Sequence, residues 1–464
     1  MSSVLFRGVE VAGVVTEVHV EDGVVSAVGA DLRPSAESVL VDGGGGALLP
    51  GLHDHHVHLL ALAAHMESAD VAGAAGVEGL RAALRKARQG RGWIRATGYH
   101  ESIAGDLDRW VLDRLVPHVP VRVQHRSGAL WILNSAALER VADVLDQTAD
   151  VERDGAGTPN GRLWRYDARL RPALPAAELD LAALGRLLAE HGITGVTDAT
   201  PDLEPSALSL LATGHASGAL PQRVTLLGAR SGSDLPSSFT IGPRKLLLRD
   251  HDLPNYDHLV STVAQVHAEG RGVAVHCVTR HSLVLTLAVL EDVGLHPADR
   301  IEHASVVPLD VADWLARLGV RVVTQPDFLR TRGAQYDTEV DASDRPHLYR
   351  YAGLLARGIP TCASSDAPYG ELDPWQVMAT AADRPIGPEE NVDAAVVLDG
   401  YLSPGHRPGG PPRRLEPGAP ADLVLLHTPR REALREPRAE LVRSCWIAGS
   451  PIHPSPGEHR HDQL

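Results

Sequence analysis

Apolar and polar positions follow two different rhythms along the chain. At both ends the period is two. Residues 9–20 (VEVAGVVTEVHV) and 24–28, on either side of the turn Glu21-Asp22-Gly23, read as strands. Residues 421–427 (ADLVLLH) and 441–448 (LVRSCWIA) read as two more, set off by proline-rich linkers. β-Fragments at opposite ends can complete one sandwich only if the termini meet. The expectation is a small bipartite β-sandwich domain from residues 1–46 and 401–464, with 47–400 inserted into it and a frayed tail at the end. Within 47–400, short apolar runs alternate with amphipathic stretches. The runs are 47–58, 192–199, 223–227, 244–248, 272–278, 300–304, 321–325 and 360–365. Helical patterning fills most gaps between them, as at 256–269, 282–293 and 309–318. Eight strand–helix units predict an α/β fold, a distorted TIM (β/α)8 barrel, with its chemistry at the C-terminal ends of the strands. Residues 66–187 are too long for one crossover and are expected to be a large insertion after barrel strand one, partly helical and partly β.

Composition narrows the function classes. A net charge of −15 argues against a nucleic-acid groove or an anionic membrane surface, because both attract clustered basic charge. The acidic balance points to a small neutral or cationic substrate. No run of 18 or more apolar residues occurs, the first residues lack signal-peptide character, and the three cysteines lie too far apart for a disulfide framework or a zinc knuckle. A cytoplasmic protein is expected. All but two of the 44 basic residues are arginine; the lysines are Lys86 and Lys245.

The candidate chemistry is histidine-rich. The first barrel run ends in PGLHDHHVH at 50–58, and alternation puts Asp54, His56 and His58 on one face and His53 and His55 on the other. Two imidazoles two residues apart on one strand can hold one metal ion. His276, His303 and Asp366 close the fifth, sixth and eighth runs. Imidazole and carboxylate donors without thiolate suit zinc, and also manganese, iron, nickel or cobalt.

With these boxes the chain resembles the amidohydrolase superfamily of metal-dependent hydrolases, and in particular its family 3 branch, over nearly its full length. The motifs are PGLHDHHVH at 50–58, GALWILNS at 128–135, GIT at 192–194, RIEHA at 300–304, Gln325-Pro326, SDAP at 365–368 and EPGAPADLV at 416–424. The resemblance implies that His56, His58 and Asp366 hold one metal and His276 and His303 a second. It also implies that a fourth-strand lysine, here Lys245, adds carbon dioxide and bridges the two as a carbamate. Lysine is required there because a buried amine can lose its proton, whereas guanidinium stays charged. The alternative for Lys245 is a surface amine with a buried stem. Two departures stand out: Asp250-His251 follows the fourth strand where the branch has a Lys-x-x-x-Asp-Gly run, and GRLWR at 161–165 lacks the branch's glutamate.

The expected reaction is hydrolysis of a non-peptide carbon–nitrogen bond in a small amide, N-acyl or cyclic amide by metal-bound hydroxide. Asp366 is the proton carrier and His303 a carbonyl polariser if only one ion binds. The rivals are a deaminase, disfavoured because Cys277-Val278-Thr279-Arg280 after His276 holds no carboxylate, and a non-catalytic barrel. His100, His125 and Trp131 in the insertion, and Asp327, Arg330 and Tyr336 after the seventh run, are candidate substrate contacts. The family resemblance also implies a small-molecule partner and homo-oligomerisation.

Overall fold

A computed structural model describes residues 3–33, 38–175 and 179–454. The chain divides into two units, Met1–His58 with Ala182–Leu464, and Leu59–Leu181.

Strands form at all eight positions read from the sequence, in two parallel sheets. One runs Phe239–Ile241, Arg223–Leu226, Ile193–Asp198, Leu52–Val57. The other runs Arg244–Leu247, Val273–Cys277, Arg300–His303, Arg321–Thr324, Thr361–Ala363. Backbone hydrogen bonds join the sheets at both edges. Lys245 N–H donates to Leu227 O (3.1 Å), while Asp366 N–H donates to His56 O (2.8 Å) and His58 N–H to Ala367 O (2.9 Å). The strands read as apolar runs because parallel strands are covered on both faces. Helices Tyr256–Ala268, Arg280–Val293 and Leu309–Leu318 supply one cover, packing Val263, Leu287 and Leu315 against Val275, Ile301 and Val322. The fold of this unit is thus mixed α/β.

Four local readings change. Residues 9–20 are not one strand: Ser3–Val11 and Val14–Glu21 form a hairpin about Ala12 and Gly13, both at positive φ (51° and 87°). Alanine gives no turn signal, so the break was hidden. Residues 47–58 are two strands. Leu48–Pro50 pairs with Leu423–Leu426, and Leu52–Val57 pairs with Ile193–Asp198. The chain crosses at Gly51, where a Cβ would lie 2.2 Å from the Thr194 side chain. The helix expected from 282 starts at Arg280 because Thr279 caps it, in a reciprocal pair with Ser282. Phe239–Ile241 was not foreseen; three residues carry too little pattern.

The two ends of the chain meet. One sheet runs Val24–Gly29, Val14–Glu21, Ser3–Val11, Val39–Asp42, and another Ser450–His453, Val442–Ile447, Leu423–Leu426, Leu48–Pro50. They share a cluster in which Val4, Phe6, Val18 and Val20 pack with Leu423, Leu425 and Trp446. Phe6 meets Trp446 edge-on, ring centroids 5.2 Å apart. Buried Asp422 pairs with Arg223 at the start of a parallel strand and accepts from Ala448 N–H (2.9 Å).

The unit Leu59–Leu181 is built on a mixed sheet around Val121–His125, Leu130–Leu133 and Trp93–Tyr99, with Leu80, Leu84, Leu112 and Ile132 in its core. Asn134, from the 128–135 motif, is fully buried and fully used: its Oδ1 accepts from Val121 and Ala137 N–H, and its Nδ2 donates to Val116 and Val119 carbonyls. That motif residue holds structure.

Phe6→Ala removes the central ring from the cluster between the terminal sheets. It is expected to lower unfolding stability by about 3–5 kcal/mol, read by urea denaturation.

Candidate metal centre

The strand Leu52–Val57 is buried along its whole length, so both faces carry histidine into the interior. His53 and His55 face away from the centre: His53 Nε2 lies 2.9 Å from Thr197 Oγ1, and His55 Nε2 lies 3.1 Å from Gly400 O and 3.0 Å from Ser403 Oγ. The alternation from Asp54 to His58 puts His56 and His58 on the other side. There they meet the carboxylate of Asp366, held by the backbone bonds that join the two sheets.

The distances are close. Asp366 Oδ1 lies 3.4 Å from His56 Nε2 and 3.2 Å from His58 Nε2. Lys245 Nζ lies 3.4 Å from His56 Nε2. The His303 ring is 4.8 Å from that of His56 and 4.5 Å from that of His276. All six residues singled out in the sequence as metal ligands therefore stand around one point. His303 and Asp366 both have positive φ (70° and 56°), a backbone conformation uncommon for side-chain-bearing residues and concentrated at functional sites.

Protonation follows from the hydrogen-bond partners. Glu302, fully buried between Arg300 and His56, takes the Nδ1 proton of His56. The arginine and imidazole beside it hold its carboxyl well below the usual range against the pull of burial. His56 Nε2 is therefore bare. Gln325 donates from Nε2 to Ser364 Oγ (2.9 Å), which turns its Oε1 to His303 Nδ1 (2.8 Å) and leaves His303 Nε2 bare as well. His58 Nδ1 lies 3.2 Å from Thr200 Oγ1. Burial, with the Lys245 charge added, pushes His56 down to about 4, and burial pushes His303 down to about 3, so both are neutral near pH 7.

Burial favours the protonated acid at Asp366, but the surrounding imidazoles hold it below the usual carboxylate range. Its Oδ1 is buried without a hydrogen-bond donor. The bare Nε2 of His56 thus faces the anionic Oδ1 of Asp366 with no proton between them. Such a set is repulsive by itself and fits a divalent cation. Lys245 is 4% exposed, which removes the surface-amine alternative, and burial lowers its pKa.

The remaining candidates are built differently. In the unit Leu59–Leu181, His100, Glu101 and His125 also cluster, with ligand-type atoms within 4.8 Å of one another. Here Ser102 and Ser127 N–H groups donate to Nδ1 of His100 and His125, so each Nε2 keeps its proton. His125 directs that proton to Glu101 Oε2 at 3.1 Å. This is a satisfied hydrogen-bonded group, unlike the bare donors around Asp366. Trp131 is buried in the same unit, its indole N–H on Asp167 and its ring covered by the guanidinium groups of Arg95 and Arg122. After Arg321–Thr324, Asp327 is buried and ties Arg330 to Thr380. Sequence reasoning passed over Glu302, Arg300 and Gln325. The available signal was RIE within a buried strand, since charges are almost never fully buried unless paired.

The amidohydrolase family's sequence model matches residues 39–453. The N-substituted formamide deformylase of Arthrobacter pascens is 26% identical, over 91% of this chain and 89% of its own. Among solved structures, an uncharacterized metal-dependent hydrolase from Pyrococcus horikoshii aligns with a TM-score of 0.73 at 20% identity, covering 95% of this chain and 99% of that one. N-isopropylammelide isopropylaminohydrolase from Burkholderia multivorans aligns with a TM-score of 0.55 at 17% identity, covering 97% and 98%. Among the described residues no helix is long and apolar enough to cross a membrane. A match over nearly the whole chain, centred on a buried donor set suited to a metal, shows that this protein belongs to the amidohydrolase family, in its family 3 branch, as an enzyme acting on carbon–nitrogen bonds other than peptide bonds.

Proposed function

We propose that the protein hydrolyses the carbon–nitrogen bond of a small N-acyl amine, amide or cyclic amide with the help of divalent metal, zinc being the first choice. The observation that carries this reading is the convergence of the His56 and His58 imidazoles on one buried carboxylate oxygen, Oδ1 of Asp366. His56, His58 and Asp366 would hold one ion, and His276 and His303 a second, with Lys245 as the bridge. A bound divalent cation supplies Lewis acidity for the carbonyl and for water.

The chain's own groups do the rest. Asp366, ionised and buried, is placed to take a proton from attacking water and return it to the leaving nitrogen. Lys245 sits where a neutral amine is favoured by burial, the form that adds carbon dioxide. Glu302 and Gln325 fix the tautomers of His56 and His303. The order of the parallel strands supports one distorted (β/α)8 barrel split into two arcs, with the terminal sheets as a β-sandwich beside it. The formamide deformylase of Arthrobacter pascens supports the N-acyl class. Three free, buried cysteines suit a reducing, cytoplasmic setting, and a small molecule is the expected partner.

Asp366→Asn is expected to lower kcat by at least ~100-fold with the thermal melt preserved, against a panel of N-acyl amines; full activity would sink the reading. Stripping the metal with a chelator should abolish turnover, and zinc, manganese or cobalt should restore it. Glu302→Gln is expected to weaken metal affinity by roughly 10–100-fold, measured by competition with a chromophoric chelator. Lys245→Ala should likewise lose metal, with partial recovery on adding a short carboxylic acid; unchanged metal content would remove the bridging role.

A further inference from the structure

Beside the candidate metal centre stands a cation that pairs with no acid among the described residues. Helix Phe328–Glu339 begins three residues after Gln325, and Phe328, Arg332 and Tyr336 follow one another on a single face at spacings of four. The Arg332 guanidinium lies 3.9 Å from the centroid of the Phe328 ring and donates from Nη2 to Tyr369 O at 2.7 Å. Tyr369 connects it to the site. Its N–H donates to Asp366 O (2.8 Å), and its ring meets the His58 imidazole edge-on at 5.4 Å.

The neighbouring charges are spent elsewhere. Asp327 and Glu371 are both taken by Arg330. Among the described residues no carboxylate pairs with Arg332. Its orientation is nonetheless held by the ring beneath it and the carbonyl it bonds.

Tyr336 completes the arrangement. Ser305 Oγ donates to Tyr349 OH (3.1 Å), and Tyr349 OH shares a hydrogen bond with Tyr336 OH, 3.0 Å away. Arg332 stands one helical turn before Tyr336, and its charge opposes the burial that raises the Tyr336 phenol. The Tyr336 hydroxyl and the Arg332 guanidinium therefore lie next to each other on one face of the helix. Asp366 lies near enough to add to the burial that raises the Tyr336 phenol. The line of donors thus runs along the wall of the metal centre.

We propose that Arg332 and the Tyr336 hydroxyl form an anion-recognition subsite, and that the substrate carries a carboxylate a few bonds from the carbon–nitrogen bond that is cleaved. The preferred class is then N-acyl amino acids rather than N-acyl amines. This refines the hydrolase reading above and rests on it for the reaction, though not for the binding. It also reverses the neutral or cationic substrate expected from the net charge. A planar guanidinium matches a carboxylate in two parallel hydrogen bonds, and the phenol adds a third donor.

The test is calorimetric binding to the zinc-loaded protein, using N-acetylglycine and its uncharged counterpart N-acetylglycinamide. The wild type is expected to bind the acid at least ~10-fold more tightly than the amide. Arg332→Met should lose roughly 10–100-fold for the acid alone, the fold-change for charge-assisted hydrogen bonds. Arg332→Lys should retain part of the preference, and Tyr336→Phe should lose a smaller share. Thermal melts establish that each variant is folded. Equal affinity for acid and amide, no measurable binding of the acid, or equal affinity of wild type and Arg332→Met for the acid would each overturn the proposal. The last would show the carboxylate sitting on the metal. Turnover of neutral and acidic N-acyl compounds, followed in parallel, separates the two readings. Neutral amides cleaved without acid preference would sink the subsite and leave the hydrolase. Acid binding through Arg332 with no amide cleaved would sink the hydrolase and leave the subsite.

Discussion

The candidate metal centre depends on one buried carboxylate that is not among its candidate ligands. Glu302 sits fully buried between the Arg300 guanidinium and His56 Nδ1. A lone carboxylate in that position would be strongly disfavoured, and an isolated guanidinium likewise. Together they form a fixed negative point from which the tautomer of His56 is determined. Arg300 also donates to His55 O (3.1 Å), binding the sixth-position strand to the backbone of the first. The ion pair thus sets both the separation of those strands and the direction of a metal-facing lone pair.

Much of this was legible in the sequence, and the limits have physical causes. Parallel strands covered on both faces appear as apolar runs, so eight of the nine could be placed from local pattern. Imidazoles at strand ends were visible because strand ends are where this architecture exposes side chains to a common point. Glu302 was not read as functional, because a charge beside a histidine looks the same whether it is paired in the core or solvated. The hairpin at Ala12-Gly13 was missed because the first of its two left-handed residues is an alanine. His100 and His125 do come together, but their tautomers are set by backbone N–H groups of Ser102 and Ser127, which no side-chain pattern reports.

Net charge and the proposed anion subsite point in opposite directions because they act on different scales. It is a property of the whole surface, and it governs steering and non-specific attraction over a Debye length. Recognition at a site depends on which charges lack a partner within a few ångströms. Arg330 and Arg332 lie two residues apart on one helix, yet the first is shared by Asp327 and Glu371 and the second pairs with no acid among the described residues. The sum over 464 residues holds no information on that difference.

The crossing at Gly51 also has a temporal side. Leu48–Pro50 completes its sheet only against Leu423–Leu426, while two residues on the same chain begins the strand that ends in His56 and His58. A ribosome delivers those histidines early, Asp366 more than three hundred residues later, and the partner of Leu48–Pro50 later still. The first candidate ligands made thus follow directly on a strand whose partner is made more than three hundred residues later. Leu48–Pro50, just before the strand that carries the first two candidate ligands, therefore stays unpaired in its sheet until residues 423–426 exist.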